Sequence, residues 1–213
     1  MTPLVVATRN PGKVREIHEM LAGLGGYQVV GLADLGIPES PDEDAVEAFD
    51  TFQENALAKA RYFAGKTGAL ALADDSGICV DALGGAPGVR SRRFAAADEA
   101  RGERQDEANN RHLLHLLRDV PDECRTARYV CAAALAWPDG RELVRTGTCD
   151  GTLLRAPRGK GGFGYDPLFY LDGEGMTFGE LPAERKNALS HRGRAIRAVI
   201  SALPGVDENG TIA

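Results

Sequence analysis

The run Ala69-Leu70-Ala71-Leu72-Ala73 stops at Asp74-Asp75-Ser76-Gly77. Short, apolar and bounded by polar residues, it reads as a buried strand. Such a strand delivers two carboxylates from the core edge into a loop, with Ile78 to Val80 as a neighbouring strand. Adjacent carboxylates at a strand end suit a hard cation such as Mg²⁺. Ser76 beside them can hydrogen-bond a phosphate. The competing reading is an ordinary surface acid pair.

The rest of the chain supplies strands and helices around this run. Leu4 to Ala7 form a short Val-rich strand. Asn10-Pro11 opens a helix, with Asn as cap and Pro at the first position. Val14, Ile17, Met20, Leu21 and Leu24 are its apolar stripe, and Gly25-Gly26 ends it. Gln28 to Val30 read as a strand, and residues 31–48 as an acidic, Pro-containing connection. Asp50 is expected to cap a second helix with Gln53 as its reciprocal partner, ending near Gly65 and Gly68. A third helix is expected over 98–118. Arg128 to Trp137 and Arg141 to Thr148 read as a hairpin around Pro138-Asp139-Gly140. Leu168 to Leu171 are a strand after a Gly-rich loop at Arg158 to Asp166. Ala183 to Leu203 carry a final helix, broken near Ser190. Crossovers mixed with hairpins predict an α/β fold: a mixed twisted sheet flanked by helices, in two lobes with a central ligand cleft. Residues 1–213 are read as one domain.

Three further segments carry chemistry. At Thr8-Arg9-Asn10-Pro11-Gly12-Lys13 a strand turns into a helix, where free N–H groups and the helix dipole favour an anion and Lys13 adds a charge. The plain alternative is a capped turn, and no Walker P-loop pattern exists in the chain. In Gly161-Gly162-Phe163-Gly164-Tyr165-Asp166-Pro167, Phe163 and Tyr165 offer stacking faces and Asp166 an acceptor. In Lys186-Asn187-Ala188-Leu189-Ser190-His191-Arg192, Lys186 suits phosphate, while His191 and Arg192 suit base carbonyls.

In this order and spacing, ATRNPGK, TFQENALAKA, ADDSG with LGGAPGV, GGFGYDP and ERKNALSHRGRA resemble the noncanonical purine nucleoside triphosphate pyrophosphatase (dITP/XTP pyrophosphatase, ITPase-like) family, from Leu4 to about Leu203. The resemblance implies an elongated α/β homodimer that uses Mg²⁺. It implies hydrolysis of dITP, ITP or XTP to the nucleoside monophosphate and pyrophosphate. Carried over by motif, Asp75 is the catalytic and metal-binding acid. Thr8, Arg9, Asn10, Pro11, Gly12, Lys13, Lys59, Ser76, Phe163, Gly164, Tyr165, Asp166, Lys186, His191 and Arg192 are substrate contacts. The family's metal-binding Glu before a Thr-Gly is missing its Thr-Gly here; counting back from Thr51 selects Glu47, with Glu43 and Asp44 as rivals. The alternatives are a pyrophosphatase for other modified or ordinary dNTPs, and a nonenzymatic nucleotide-binding regulatory module.

Bulk properties narrow the setting. A formal net charge of −6 argues against a nonspecific nucleic-acid polymer as partner. Cys79, Cys124, Cys131 and Cys149 form no C-x-x-C pair, and Cys79 and Cys131 read as buried free thiols. The N-terminus MTPLVVATRNPGK lacks a basic n-region, and no apolar stretch approaches the ~20 residues of a membrane span. A reducing cytoplasm is the expected location.

Overall fold

The computed structural model describes residues 1–96 and 104–206, and of Asp44 the backbone alone. Among the described residues, seven strands form one mixed sheet: β1 (Thr2–Val6), β2 (Tyr27–Gly31), β3 (Leu70–Val80), β4 (Thr126–Ala136), β5 (Glu142–Leu153), β6 (Phe169–Leu171) and β7 (Met176–Thr177). The order is β2-β1-β3-β4-β5-β6-β7. β1 runs parallel to β2 and β3, pairing Leu4 with Leu70 and Val6 with Leu72. β6 is antiparallel to β5 and β7. The helices are α1 (Pro11–Met20), α2 (Asp42–Val46), α3 (Phe52–Thr67), α4 (Gln105–Leu116), α5 (Ala183–Leu189) and α6 (His191–Ile200). No helix among the described residues is long and apolar enough to cross a membrane.

The chain divides into two compact units. The first comprises Met1–Asp75, Cys131–Gly147 and Ser190–Ala213; the second comprises Ser76–Val130 and Thr148–Leu189. In the first, Leu4, Val6, Leu70, Leu72 and Leu135 of the strands pack with Ile17 and Leu21 beside α1 and with Ile196, Val199 and Ile200 of α6. In the second, Ile78, Val80, Leu113, Leu117, Phe169 and Phe178 form a separate core. Cys79, Cys124, Cys131 and Cys149 are thiols outside any disulfide, with Cys131 buried and Cys79 half-buried.

Several expectations hold at the level of local chemistry. Asn10 caps α1: its side chain accepts from Gly12 N–H at 2.9 Å and Lys13 N–H at 3.2 Å, and Pro11 takes the first helical position. Ser190 breaks the last helix by capping α6, accepting from Gly193 N–H at 3.1 Å. The hairpin joins β4 to β5, closed by Trp137 N–H donating to the Arg141 carbonyl at 2.9 Å.

Others are corrected. β3 does not stop at Ala73; it continues through both acids and Gly77 to Val80 as one strand, so Ile78 to Val80 are its second half. Gly77 permits this, because a Cβ there would stand 2.3 Å from both the Gly88 carbonyl and Ser91 Oγ. The cap of α3 is Thr51, not Asp50. Thr51 Oγ1 accepts from Glu54 N–H and donates to Glu54 Oε2, so the reciprocal pair sits one residue later than Asp50 and Gln53. α3 runs through Gly65 and ends at Gly68, which adopts φ +64°. α1 ends at Met20, five residues before Gly25. The 31–48 connection contains α2, and β7 was not expected. Of the helix expected over 98–118, residues 98–103 lie outside the described residues.

Candidate active site

β3 places Asp74 and Asp75 side by side, and neighbouring residues of a strand face opposite ways. Asp74 is fully buried. Its Oδ2 lies 3.0 Å from Lys13 Nζ and 3.2 Å from Arg192 Nε. Lys59 Nζ donates to its backbone carbonyl at 3.0 Å. Burial pushes the Asp74 carboxyl up, but Lys13, Arg192 and Lys59 together outweigh this and hold it far below the usual carboxylate range. Arg192 continues the chain of charges, with Nη1 2.5 Å from Glu16 Oε2. Lys13 and Glu16 stand three apart on α1, on one helical face. This pairing explains why β3 carries an acid through the core: a buried carboxylate is tolerated only when matched.

Asp75 is half-buried, and its balance is reversed. Burial is the largest influence and raises its carboxyl above the usual value, against the pull of Lys13, Lys59 and Asn55. Asn55 Nδ2 donates to Asp75 Oδ2 at 3.1 Å and to the Phe49 carbonyl at 3.0 Å, while its Oδ1 accepts from Phe49 N–H at 2.9 Å. Asn55 and Glu16 were not singled out from sequence. For Asn55 the signal was present: it lies four residues before Lys59, on the same face of α3.

Lys59 also forms an ion pair with Glu47. Among the rival acids, Glu43 is held elsewhere: Arg9 donates to both its carboxylate oxygens, at 2.8 and 3.0 Å, and to the Ile37 and Pro38 carbonyls. The Asp44 side chain lies outside the described residues. No group of three or more His, Cys, Asp or Glu placed to hold a metal occurs among the described residues.

Around the Thr8–Lys13 turn the structure redistributes the expected roles. Thr8 is buried, its Oγ1 accepting from Asn10 N–H at 3.3 Å. The N–H groups of Gly12 and Lys13 are capped by Asn10, and Pro11 has none, so the turn's positive character comes chiefly from Lys13. Arg9 braces residues 37–43. His191 is buried at the first position of α6, and Arg192 follows it, its guanidinium facing Asp74 and Glu16.

The second unit holds the other expected residues. Ser76 is half-buried on β3. Phe163 is half-buried, with Lys186 Nζ 5.0 Å from its ring centroid. Asp166 is buried; its Oδ2 accepts from Phe163 N–H at 2.8 Å and from Lys186 Nζ at 2.5 Å. Asp166 therefore shapes the loop rather than standing open as an acceptor, and Lys186 belongs to this loop rather than to the Lys13–Lys59 set. Tyr165 is not a stacking face. It is buried in the core, its hydroxyl donating to the Ser91 carbonyl at 2.8 Å. Gly164 N–H donates to Asp106 Oδ2 at 2.9 Å.

The match to the Ham1 family model spans residues 4–202. The chain belongs to the Ham1 family. This Ham1 chain is 50% identical over 196 residues to the dITP/XTP pyrophosphatase of Geobacter sulfurreducens, covering 92% of this chain and 94% of that protein. It is 49% identical over 200 residues to the dITP/XTP pyrophosphatase of Desulforamulus reducens, covering 94% of each. Its fold is similar to that of a HAM1 protein from Coxiella burnetii, with TM-score 0.79, 37% identity, and coverage of 93% of this chain and 96% of that one. A Mycobacterium abscessus structure, a nucleoside-triphosphatase / dITP/XTP pyrophosphatase, gives TM-score 0.69 and 43% identity over 95% of this Ham1 chain and 98% of its own.

Proposed function

We propose that this Ham1 chain hydrolyses noncanonical purine nucleoside triphosphates (dITP, ITP and XTP) to the nucleoside monophosphate and pyrophosphate, clearing them from the nucleotide pool. The observation that carries this is the contrast at Asp74 and Asp75. One carboxylate is locked by two cations; its neighbour is poised by burial to take a proton. Two acids pushed in opposite directions beside Lys13 and Lys59 are an arrangement for acid–base chemistry on an anion. The names of the relatives above support the substrate class.

A triphosphate repels a nucleophile, so its charge is neutralised first. Lys13 and Lys59 do this. Asp75 orients a water and takes its proton; Asn55 keeps the carboxylate in place. The water oxygen forms a bond to the α-phosphorus, the bond from that phosphorus to the bridging oxygen breaks, and pyrophosphate leaves with its charge already paired. Positioning and electrostatics carry most of the acceleration. Asp74, held by Arg192, fixes Lys13.

The residues present fit a magnesium ion. Mg²⁺ keeps several waters and takes one or two carboxylates plus substrate phosphates rather than an all-protein cage. Asp75 and Glu47 are the carboxylates that would hold it, and burial leaves Asp75 in need of a positive neighbour. When bound, the ion supplies charge neutralisation on the phosphates. Phe163 stacks on the purine, with Lys186 beside its ring as a candidate donor to the base oxygen. Arg192 acts on Asp74 in this reading, in place of the base contact expected from sequence.

The test is turnover of a nucleotide panel with and without Mg²⁺, assayed for pyrophosphate against orthophosphate. Pyrophosphate from dITP and XTP, with poor use of dATP, supports the proposal. Orthophosphate and a diphosphate overturn the site of attack, and tight binding without turnover overturns the enzyme. We also propose a homodimer, for which light scattering at micromolar concentration gives about twice the 22.7 kDa chain mass.

A further inference from the structure

In the second unit, one turn of α4 grips the loop that carries Phe163. Asp106 Oδ2 accepts from Gly164 N–H at 2.9 Å, and Asn110 Nδ2 donates to the Gly164 carbonyl at 2.8 Å. Asn110 Nδ2 also donates to the Asp106 carbonyl at 2.9 Å. Residues 106 and 110 are four apart, so they share one face of the helix. Chemistry fixes the orientation of the Asn110 amide. Both groups that face it are carbonyl oxygens, so the nitrogen must point at them. Asn110 Oδ1 is left buried with no hydrogen-bond partner, the weaker side of that choice.

The loop is held from its other side by Asp166, which accepts from Phe163 N–H through Oδ2. Asp166 N–H in turn donates to the Phe163 carbonyl at 3.3 Å. The N–H and C=O groups of both Phe163 and Gly164 are thus engaged within the unit. Gly164 has φ +62°, and no atom lies within 4 Å of where a Cβ would stand; the glycine is needed for the backbone angle, not for room. Asn109, on the same turn of α4, extends the grip. It accepts from Ala95 N–H at 2.9 Å and donates to the Ser91 and Arg92 carbonyls at 3.3 and 3.1 Å. The Ser91 carbonyl also receives the Tyr165 hydroxyl.

We propose that Asp106 and Asn110 are positioning residues for base recognition: they fix the Phe163–Gly164 backbone and so set the direction in which the Phe163 ring is presented. They touch no substrate and act through Phe163. This rests on Phe163 being the surface on which the base stacks. It also removes the N–H groups of Phe163 and Gly164 from the donors that read the base, because both are engaged within the unit.

The experiment is steady-state kinetics of the full chain with dITP and Mg²⁺, with thermal melting of each variant as a folding control. Phe163→Ala, Asn110→Ala and Asp106→Ala each raise KM about tenfold, equivalent to about 1.4 kcal/mol, with kcat within about twofold of wild type. Asp106→Asn, which keeps an acceptor for Gly164 N–H, stays near wild type. Adding Asn110→Ala to Phe163→Ala raises KM no further, because a clamp on an absent ring has nothing to position. Full additivity in that double variant overturns the proposal, as does an unchanged KM in folded Asn110→Ala. An unchanged KM in Phe163→Ala instead removes the stacking reading on which the proposal rests. If Asn110→Ala does not fold, the contrast between Asp106→Ala and Asp106→Asn decides, and equal KM values for those two overturn it.

Discussion

The charged set of the first unit and the aromatic loop of the second are built by different means. Asp74 and Asp75 stand on a central strand; Lys13 and Glu16 on α1; Asn55 and Lys59 on α3; Arg192 on α6. Each of these elements packs part of its apolar face into a buried core. Phe163 to Asp166 stand on no regular element, and side-chain hydrogen bonds from Asp106, Asn110, Asp166 and Lys186 take the place of a ladder. Charges whose separation decides a barrier are set by rigid backbone. A stacking surface needs only its direction fixed, which a few side-chain hydrogen bonds can do, because every purine offers the same face. Under the proposed function, damage to the first region therefore costs turnover or stability, and damage to the second costs affinity.

The largest expected effect tests the first half of that contrast. Asp75→Asn keeps the shape and removes the proposed proton acceptor, and kcat falls at least ~100-fold, the low end of general-base contributions. Thermal melting of this variant stays close to wild type. Near-normal turnover would move the chemistry to Asp74 or Glu47. Asp74→Asn acts through the fold instead. It leaves Lys13 and Arg192 facing a neutral amide inside the unit, and breaking a buried ion pair on one side costs about 3–5 kcal/mol. Urea unfolding measures this. A loss of less than about 1 kcal/mol would mean that the cluster is more open to water than its burial implies.

The second half predicts a smaller and differently shaped effect. Phe163→Ala raises KM for dITP and dGTP alike, by about tenfold, within the range for one base–aromatic stack. It leaves the ratio of dITP to dATP efficiency unchanged, since an aromatic face supplies affinity without reading the 6-oxo group. A change in that ratio would show that the loop selects as well as holds.

How much of this was legible in the residues follows the same division. Where a signal is local, reading succeeds. Asn10-Pro11 caps α1 and Ser190 starts α6 because capping depends on a few neighbouring residues. The fold class also follows from strand and helix order. Where the deciding partner is far along the chain, local pattern misleads. Asp74-Asp75 looks like the end of a strand, because nothing nearby reveals Arg192, 118 residues away, which lets β3 continue. Arg9 looks like part of an anion turn until Glu43, 34 residues on, takes its guanidinium. Tyr165 offers a stacking face on paper and a core residue in the fold, since Ser91 supplies a carbonyl for its hydroxyl. The α3 cap missed by one position because Asp50 and Thr51 are both good caps, and Glu54 rather than Gln53 decides between them.

The smallest expected effect separates two acids that composition cannot. Glu43 and Glu47 both precede α3; counting back from Thr51 selects Glu47, and Glu43 is its near rival. Their surroundings differ: Glu43 forms a two-pronged pair with Arg9, and Glu47 faces Lys59. The hydrogen bond from Arg9 is the main cause that lowers the Glu43 carboxyl below its ordinary 4.5. A depressed folded value means that the pair stabilises the protein above the ordinary range and ceases to do so as pH falls through the lowered value. Near the surface such a pair contributes about 1 kcal/mol or less. Glu43→Gln therefore lowers stability slightly at neutral pH, converges with wild type in acid, and leaves turnover and Mg²⁺ dependence unchanged. Glu47→Gln reverses the pattern. Loss of a carboxylate proposed to hold the ion raises the Mg²⁺ concentration needed for half-maximal turnover, while stability barely moves because the side chain is 37% exposed. If the Mg²⁺ requirement shifts with Glu43→Gln and not with Glu47→Gln, the acid beside Arg9 is the metal ligand. The pairing of Glu47 with Lys59 would then be a surface contact only.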